Sequence, residues 1–443
     1  MMRQENREER SPARFISHFF RFLLLFSVFA LLSDDVLADE SGLRLTGYIK
    51  TILTLNDFTG SDVLIAGNTL EDRPELEWTS ITTLRLSLFW QLGNSASAEL
   101  AYELIPRIQD DSVESFFALQ AANPLTYRAV DFSEEITVTG DASSLNIFQN
   151  LDRAFITLSP SFGDISIGRQ PVAFGSARFI NPTDILTSFS YIELNNEERI
   201  GVDAVRVRVP VGALGELDAG AVFGDDFRLA ESAAFLRMRL PLLGMDFSPL
   251  VILFKENVLL GVDMVTSIGG AGFWLEGAYT FANLADHHEA DEDYMRLSTG
   301  LDYSFTDTFY ASVEYHYNSA GSHDPDDYGE ILSGLEKEIA YTEGAVYLLG
   351  SHYIAPGFTW QATPLMSFSS SVLFNWGDRS LLFFPDMQYS MSDNAVLEAG
   401  AFISVGSESD IVINRDSGSA AVSAESEFGL YPDTYFISAR IYF

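Results

Sequence analysis

Apolar and polar residues alternate along most of this chain in segments of about ten residues, the period of two that marks a strand with unlike faces. Leu84, Leu86, Leu88 and Trp90 alternate with Thr83, Arg85 and Ser87. Met295, Leu297, Thr299, Leu301 and Tyr303 alternate with Arg296, Ser298, Gly300 and Asp302. The chain closes in the same way, with Tyr435, Ile437, Ala439, Ile441 and Phe443 set against Thr434, Ser438 and Arg440. Eighteen such segments fall at 42–54, 78–91, 97–107, 147–159, 163–170, 199–209, 215–223, 233–240, 247–255, 258–266, 271–282, 294–305, 308–318, 343–356, 363–376, 379–391, 394–406 and 433–443. One face is apolar with aromatic residues near the ends; the other is polar, small or charged.

The connections alternate between tight turns, such as Leu92-Gly93-Asn94-Ser95 and Ser392-Asp393-Asn394, and mostly longer polar loops at 55–77, 108–146, 171–198, 283–293, 319–342 and 407–432. Short turns at one end and long loops at the other predict an all-β fold: a transmembrane antiparallel β-barrel of about 18 strands, with periplasmic turns and termini and extracellular loops. Sixteen strands is the alternative count, because the segments at 163–170 and 233–240 are short. A sandwich gives no reason for loops of two classes, and the chain lacks the repeat of about 40–50 residues that a propeller requires. Closure is mandatory, since an open edge would leave N–H and C=O groups unpaired in hydrocarbon. Residues 39–443 then form one barrel with no interdomain linker.

Composition fits this inverted protein. The 443 residues hold 26 Lys+Arg against 63 Asp+Glu, a net charge of −37, together with 35 Phe, 18 Tyr and 5 Trp. Mean hydropathy is nonetheless +0.10. In a barrel the apolar set faces lipid and the polar set faces the lumen, so charge and hydropathy coexist. The charge argues against nucleic-acid partners, and the absence of cysteine excludes disulfides and thiol chemistry. Residues 1–38 read as a cleaved secretory signal: Arg3, Arg7, Arg10, Arg14 and Arg21 precede an apolar run from Phe22 to Leu32, and Val36-Leu37-Ala38 supplies a small-residue cleavage site.

By parity the lumen receives a basic wall and an acidic wall. Arg85, Arg153, Arg237 and Arg239 belong to the first; Glu99, Glu103, Asp263, Glu276, Glu314 and Glu398 belong to the second. Nine of the 21 basic residues beyond position 38 lie between 153 and 239. Opposed charged walls would set a transverse field in a pore; alternatively they pair and stiffen the barrel. Arg206 and Arg208 fall out of phase with Asp203, which calls for a bulge, and Arg169 shares parity with Ile165 and Ile167, which calls for a bulge or a rim position. Loop 108–146, through Phe116, Phe117, Leu119 and Tyr127, is a candidate constriction or plug. Asp324, Asp326 and Asp327 are weak Ca²⁺ or Mg²⁺ candidates in an acidic loop matching no defined metal motif; no cofactor is called for. No nucleophile–base–acid set is spaced for catalysis, so the chain is not read as an enzyme.

Two segments resemble known families. The terminal strand from Tyr435 to Phe443 resembles the last strand of Gram-negative outer-membrane proteins, which the barrel-assembly machinery recognises. The segment Gly168-Arg169-Gln170-Pro171-Val172-Ala173-Phe174-Gly175-Ser176-Ala177-Arg178, continuing through Asn181-Pro182-Thr183-Asp184, is similar to the Gly-Arg-Gln strand end and Gly-x-x-Arg of alginate-export-type and related porin-like barrels. The resemblance implies eighteen strands, with Arg169 and Arg178 near the pore and touching the solute. This chain departs from the Arg-rich polyanion pore of alginate exporters in its many lumen carboxylates. The expected function is an outer-membrane channel for passive diffusion of small hydrophilic solutes, set among outer-membrane lipid and lipopolysaccharide. The alternatives are a solute-specific or export channel of the alginate-export type, and an occluded barrel whose acidic loops serve adhesion.

Overall fold

The alternating segments do pair into one closed sheet. The computed structural model describes residues 42–58, 76–109, 127–130, 134–139, 144–187, 191–192, 194, 197–284, 292–334, 339–344, 348–407, 410–414 and 419–443. The expected signal at 1–38 lies outside them, as do Phe116, Phe117 and Leu119. In chain order the strands are β1 (Leu43–Asp57), β2 (Leu76–Gln91), β3 (Ala96–Gln109), β4 (Glu134–Thr139), β5 (Ser144–Leu158), β6 (Asp164–Gln170) and β7 (Val202–Val211). There follow β8 (Gly215–Val222), β9 (Ala233–Leu242), β10 (Met245–Phe254), β11 (Asn257–Ile268), β12 (Ala271–Phe281), β13 (Tyr294–Ser304) and β14 (Phe309–Asn318). The last are β15 (His352–Thr363), β16 (Met366–Asn375), β17 (Leu381–Ser392), β18 (Ala395–Val405), β19 (Asp410–Asn414), β20 (Ser419–Ser423) and β21 (Asp433–Tyr442). Strands β19 and β20 make a separate hairpin in the last long loop.

Leaving out β4, β19 and β20, each strand pairs antiparallel with the next around the ring, and β21 returns to β1 in register from Tyr48↔Tyr442 to Asp57↔Asp433. Two further backbone bonds extend this seam, Gly47 N–H to the Phe443 carbonyl at 2.8 Å and Phe443 N–H to the Gly47 carbonyl at 2.9 Å. The closed ring is therefore an 18-stranded antiparallel barrel, with β4 as an addition. Its role follows from strand length. Strand β6 pairs with β5 only from Ala154 to Leu158, which leaves the far half of the β5 edge open. Strand β4 pairs with that half, from Gln149 to Ser144, and removes the unpaired edge.

The faces sort as the alternation requires. Leu236, Leu253, Leu260, Ile156 and Ile167 stand exposed on the outside. Lys50, Arg85, Glu276, Arg296, Glu314 and Asn375, all on the opposite face of their strands, are buried. A closed barrel that is apolar outside and polar inside spans a bilayer. Trp90, Tyr279, Phe281, Tyr303, Phe305 and Trp376 are exposed near strand ends, the level of the lipid headgroups.

Three details depart from the sequence reading. The segment expected at 343–356 begins as a strand only at His352. Its apolar start includes Leu348 and Leu349, which are buried in a core at the loop end of the lumen, so their hydrophobicity reports inward packing rather than lipid contact. The loop expected at 319–342 is correspondingly longer. The bulge expected between Asp203 and Arg206 is absent, because β7 runs in unbroken register against both β6 and β8. It lies instead in β5, where Ala101↔Arg153 is followed by Tyr102↔Leu151 and Asp152 is the extra residue. That bulge turns Asp152 and Arg153 to the same, inner side, where both are buried.

Leu260→Arg, on the lipid face of β11, is expected to cost about 2–4 kcal/mol of folding stability in vesicles. Ser369→Arg, on the inner face of β16, is expected to cost less than about 1 kcal/mol. Equal costs in a urea titration would mean that the faces have been assigned the wrong way round.

Candidate functional site: a segment folded into the lumen

Strand β6 stops at Gln170 and the chain turns inward, so the connection to β7 runs inside the barrel. Irregular backbone within a barrel must find partners for its N–H groups. Here it finds them on carboxylates of the facing wall. Glu276 of β12 accepts from the amides of Ser176 (2.9 Å), Ala177 (3.0 Å) and Thr183 (2.8 Å), from the Thr183 hydroxyl (2.7 Å) and from the Asn181 side-chain amide (3.3 Å). Glu314 of β14 accepts from the amides of Arg178 (2.7 Å), Phe179 (3.3 Å) and Ile180 (3.0 Å), and from the Trp274 indole N–H (3.0 Å). Asp263 of β11 accepts from the Ser176 hydroxyl, and the Ser298 hydroxyl donates to the Ile180 carbonyl at 2.6 Å. Gly175 has φ +92°, and any Cβ there would lie 2.5 Å from both Glu276 oxygens, so only glycine permits this approach.

The far end of the segment is held by the opposite wall. Glu197 pairs with Lys50 of β1 (2.6 Å) and with Arg440 of β21. Glu198 lies 3.6 Å from Arg153 and 3.9 Å from Arg85. Below them Arg85 donates to Glu103 (2.5 Å) and to Asp152 (2.7 Å), Arg153 donates to Asp152 (2.5 Å), and Asp152 also accepts the Gly201 amide (2.9 Å). Within the segment Asp184 is ion-paired with Arg199. Apolar side chains fill the gaps on both flanks. Val172, Phe174, Ile185 and Leu186 pack on Phe235, Leu250, Ile252 and Leu259, while Phe179 and Tyr191 pack toward Phe384 and Tyr431.

Most residues expected to line a pore are thus committed elsewhere. Glu276 and Glu314 are buried anchors, and Asp263 is a third with Arg237 at 3.8 Å. Arg85, Arg153 and Glu103 form one buried network, so they do not face water as a basic and an acidic wall. Arg169 sits at the rim, on the face that carries Ile167, and is held by Asp203 at 2.8 Å and by the carbonyls of Leu151 and Val130. Its place at the strand end accounts for its phase without a bulge. Arg178 alone of the motif's arginines stands exposed, stacked 5.4 Å over Trp274 with Asp302 at 3.1 Å. Arg239 is exposed opposite Glu216, while Glu99 and Glu398 are half-buried on inner faces. Asp324 accepts from the Asp326 amide at 3.1 Å and Asp327 from the Ser322 hydroxyl at 2.6 Å. Among the described residues no group of three or more His, Asp or Glu is disposed to hold a metal.

Among the described residues, the element that fills the lumen is therefore 171–201. Of the segment expected to do so, 108–146, residues 110–126 lie outside the described set, and Tyr127 packs with the core around Val172 and Phe174. Asp152, Glu197 and Glu198 escaped the sequence reading. Alternation puts Asp152 opposite to Arg153 unless the bulge is known, and nothing in Asn195-Asn196-Glu197-Glu198 distinguishes a lumen anchor from a solvated loop.

Toward the turn end the lumen opens. Parity with the buried Tyr353, Leu373, Leu382 and Phe402 places Thr359, Ser369, Ser371, Asp386, Gln388 and Glu398 on the inner faces of β15 to β18, where they are half-buried or exposed. The Ser369 hydroxyl donates to Asp386 at 3.2 Å. No Lys or Arg occurs on β14, β15, β16, β17 or β18.

Glu276→Ala would strand five buried donors, each worth about 1–3 kcal/mol when unsatisfied. We expect a loss above about 3 kcal/mol, read by urea unfolding in micelles. Glu276→Gln is expected to lose nearly as much, because its NH₂ would face donors. Wild-type stability in both variants would remove Glu276 as the anchor.

No protein-family model matches the chain, and no protein of curated function matches it in sequence. Similarity appears at the level of fold. OccAB4 of Acinetobacter baumannii superposes with a TM-score of 0.51 at 7% identity, over 90% of this chain and 98% of that one. OccAB2 of the same organism gives 0.50 at 8%, over 91% and 99%. The chain shares with them a closed 18-stranded barrel across nearly its full length.

Proposed function

We propose that this protein is an outer-membrane channel for the passive diffusion of small hydrophilic solutes, narrowed by the segment 171–201. The observation that carries the reading is the inner face of β15 to β18, where hydroxyls, an amide and carboxylates are half-buried or exposed beside a lumen segment fastened to the other walls. A barrel built only as a scaffold has no need of hydrated polar side chains inside. The short turns are assigned to the periplasm and the long loops to the outside, with export by residues 1–38 and cleavage after Ala38. Phe443, whose backbone completes the β1–β21 seam, is assigned to recognition by the assembly machinery. Lipopolysaccharide is assigned to the acidic outer loops. No catalytic role and no cofactor is proposed.

Within this reading the passage prefers cations. Asp386 and Glu398 sit on a wall without a basic residue, whereas the arginines of the other wall are mostly neutralised by buried carboxylates. Arg169 lies at the rim, and this weighs against the polyanion export that the alginate-export-type resemblance implied.

Refolded 39–443 in a planar bilayer under a KCl gradient is expected to conduct steadily, with a reversal potential of cationic sign. Asp386→Asn with Glu398→Gln is expected to reduce that potential by at least half. A correctly folded barrel that stays silent would sink the channel and favour the occluded alternative; an unchanged potential in the double variant would sink only the assignment of selectivity.

A further inference from the structure

Among the described residues, three connections at the loop end of the lumen meet at one buried carboxylate. Glu427, between β20 and β21, is fully buried. It accepts from the Leu349 amide (2.9 Å), the Tyr353 hydroxyl (2.5 Å) and the Asn375 side-chain amide (2.8 Å). Its own amide donates to Asp378 in the β16–β17 turn at 2.6 Å. Asp378 also accepts from the Ser380 amide and hydroxyl, both at 2.7 Å, and Asn375 reaches the Tyr328 hydroxyl at 2.9 Å. The described stretches 319–334, 339–344 and 348–351 of one connection are thereby tied to 376–380 and 424–432. Their apolar side chains Tyr328, Tyr341, Leu348, Phe428 and Leu430 form a core on the inner wall at Tyr353, Leu373 and Leu382. The cover also touches the lumen segment, through Tyr431 and Tyr191, whose hydroxyls are 2.8 Å apart.

Two carboxylates side by side in such a core normally share it with a cation. The groups that face Glu427 are Tyr353 from β15, Asn375 from β16, Tyr328 from the helix at Tyr328–Gly334, Asp378 from the turn and Tyr191 from the lumen segment. Arg379, next to Asp378 in sequence, is exposed. Among the described residues no ion pair reaches Glu427 or Asp378.

We propose that Glu427 is a proton-operated latch on this cover: protonated, it keeps the three connections docked over the lumen mouth; ionised, it loosens them and widens the outer entrance. The role as a gate rests on the channel reading above, whereas the release of the connections does not. Burial, with Asp378 adding repulsion, raises the Glu427 carboxyl from 4.5 to about 7 in the docked cover. A carboxyl whose docked value lies above its free value binds a proton more tightly when docked. Docking is therefore strongest at low pH and weakens as pH rises through about 7.

The test is hydrogen exchange of the full barrel in micelles at pH 5 and pH 8, corrected for intrinsic rates, read at the Leu349 amide and over 427–431. Protection is expected to fall on the order of 50-fold between the two. In Glu427→Gln it should be the same at both. Asp378→Asn keeps the latch but removes a charge that helps raise the docked Glu427 carboxyl, so its fall between pH 5 and pH 8 should be smaller than in the wild type. Heat-modifiable migration in gels identifies any variant that fails to fold. Protection independent of pH in the wild type, or a fall retained in Glu427→Gln, overturns the latch. Bilayer conductance is expected to rise with pH on the loop side in the wild type and in Asp378→Asn, and not in Glu427→Gln. A folded protein that shows the exchange change but conducts at neither pH would leave the latch standing and overturn the channel.

Discussion

Among the described residues, the backbone of segment 171–201 has no strand partner, and the inner face of the barrel is arranged around that fact. Peptide N–H groups taken out of water cost free energy unless an acceptor meets them. Ionised carboxylates are the strongest acceptors a side chain offers, and each can take several donors. Glu276 and Glu314 together collect six backbone amides and fix the path of the segment to one wall. The carboxylates are stabilised in turn because the segment delivers donors to them. Wall and segment are conditions for each other, so a change at either is felt as unsatisfied groups at the other.

The second fastening works with the opposite sign. On the side of β1, β2, β5 and β21 the wall supplies cations, and the segment supplies Glu197 and Glu198. The segment therefore spans between an acidic and a basic surface, consuming the charge of both. What remains hydrated is the stretch of wall it does not cover, β15 to β18, and that stretch carries carboxylates without a basic residue. The electrostatic character of the open lumen is thus set by subtraction: it is the part of the inner surface that anchoring has not neutralised.

The ring itself depends on strand length. Strand β6 is short because its continuation is the lumen segment, and this leaves the neighbouring β5 edge exposed. Strand β4 repairs one part of the gap. The stretch 127–130 repairs another, with Asp203 accepting from the Ala129 amide and its own amide donating to Tyr127. The inward fold and the added strand are two consequences of one early strand end.

The sequence by itself determined the barrel, the order of pairing and the two faces, and it narrowed the count to eighteen strands with sixteen as the alternative. A period of two and a closed ring leave one consistent arrangement once apolar positions must meet lipid, and thirteen or more residues of alternation in a segment such as β1 or β2 cannot slip by one without exposing charge to hydrocarbon. It also put Glu276, Glu314, Arg85 and Arg153 on the face opposite the apolar one. What it could not decide was whether those side chains meet water or protein. Alternation records only which side of the sheet a residue takes, and both a hydrated pore and a filled lumen are served by polar residues on that side. Which loop enters, where Glu197 and Glu198 land, and how Asp152 turns inward depend on contacts between residues dozens or hundreds of positions apart. Those contacts leave no period in the chain, and only the closed barrel brings them within reach.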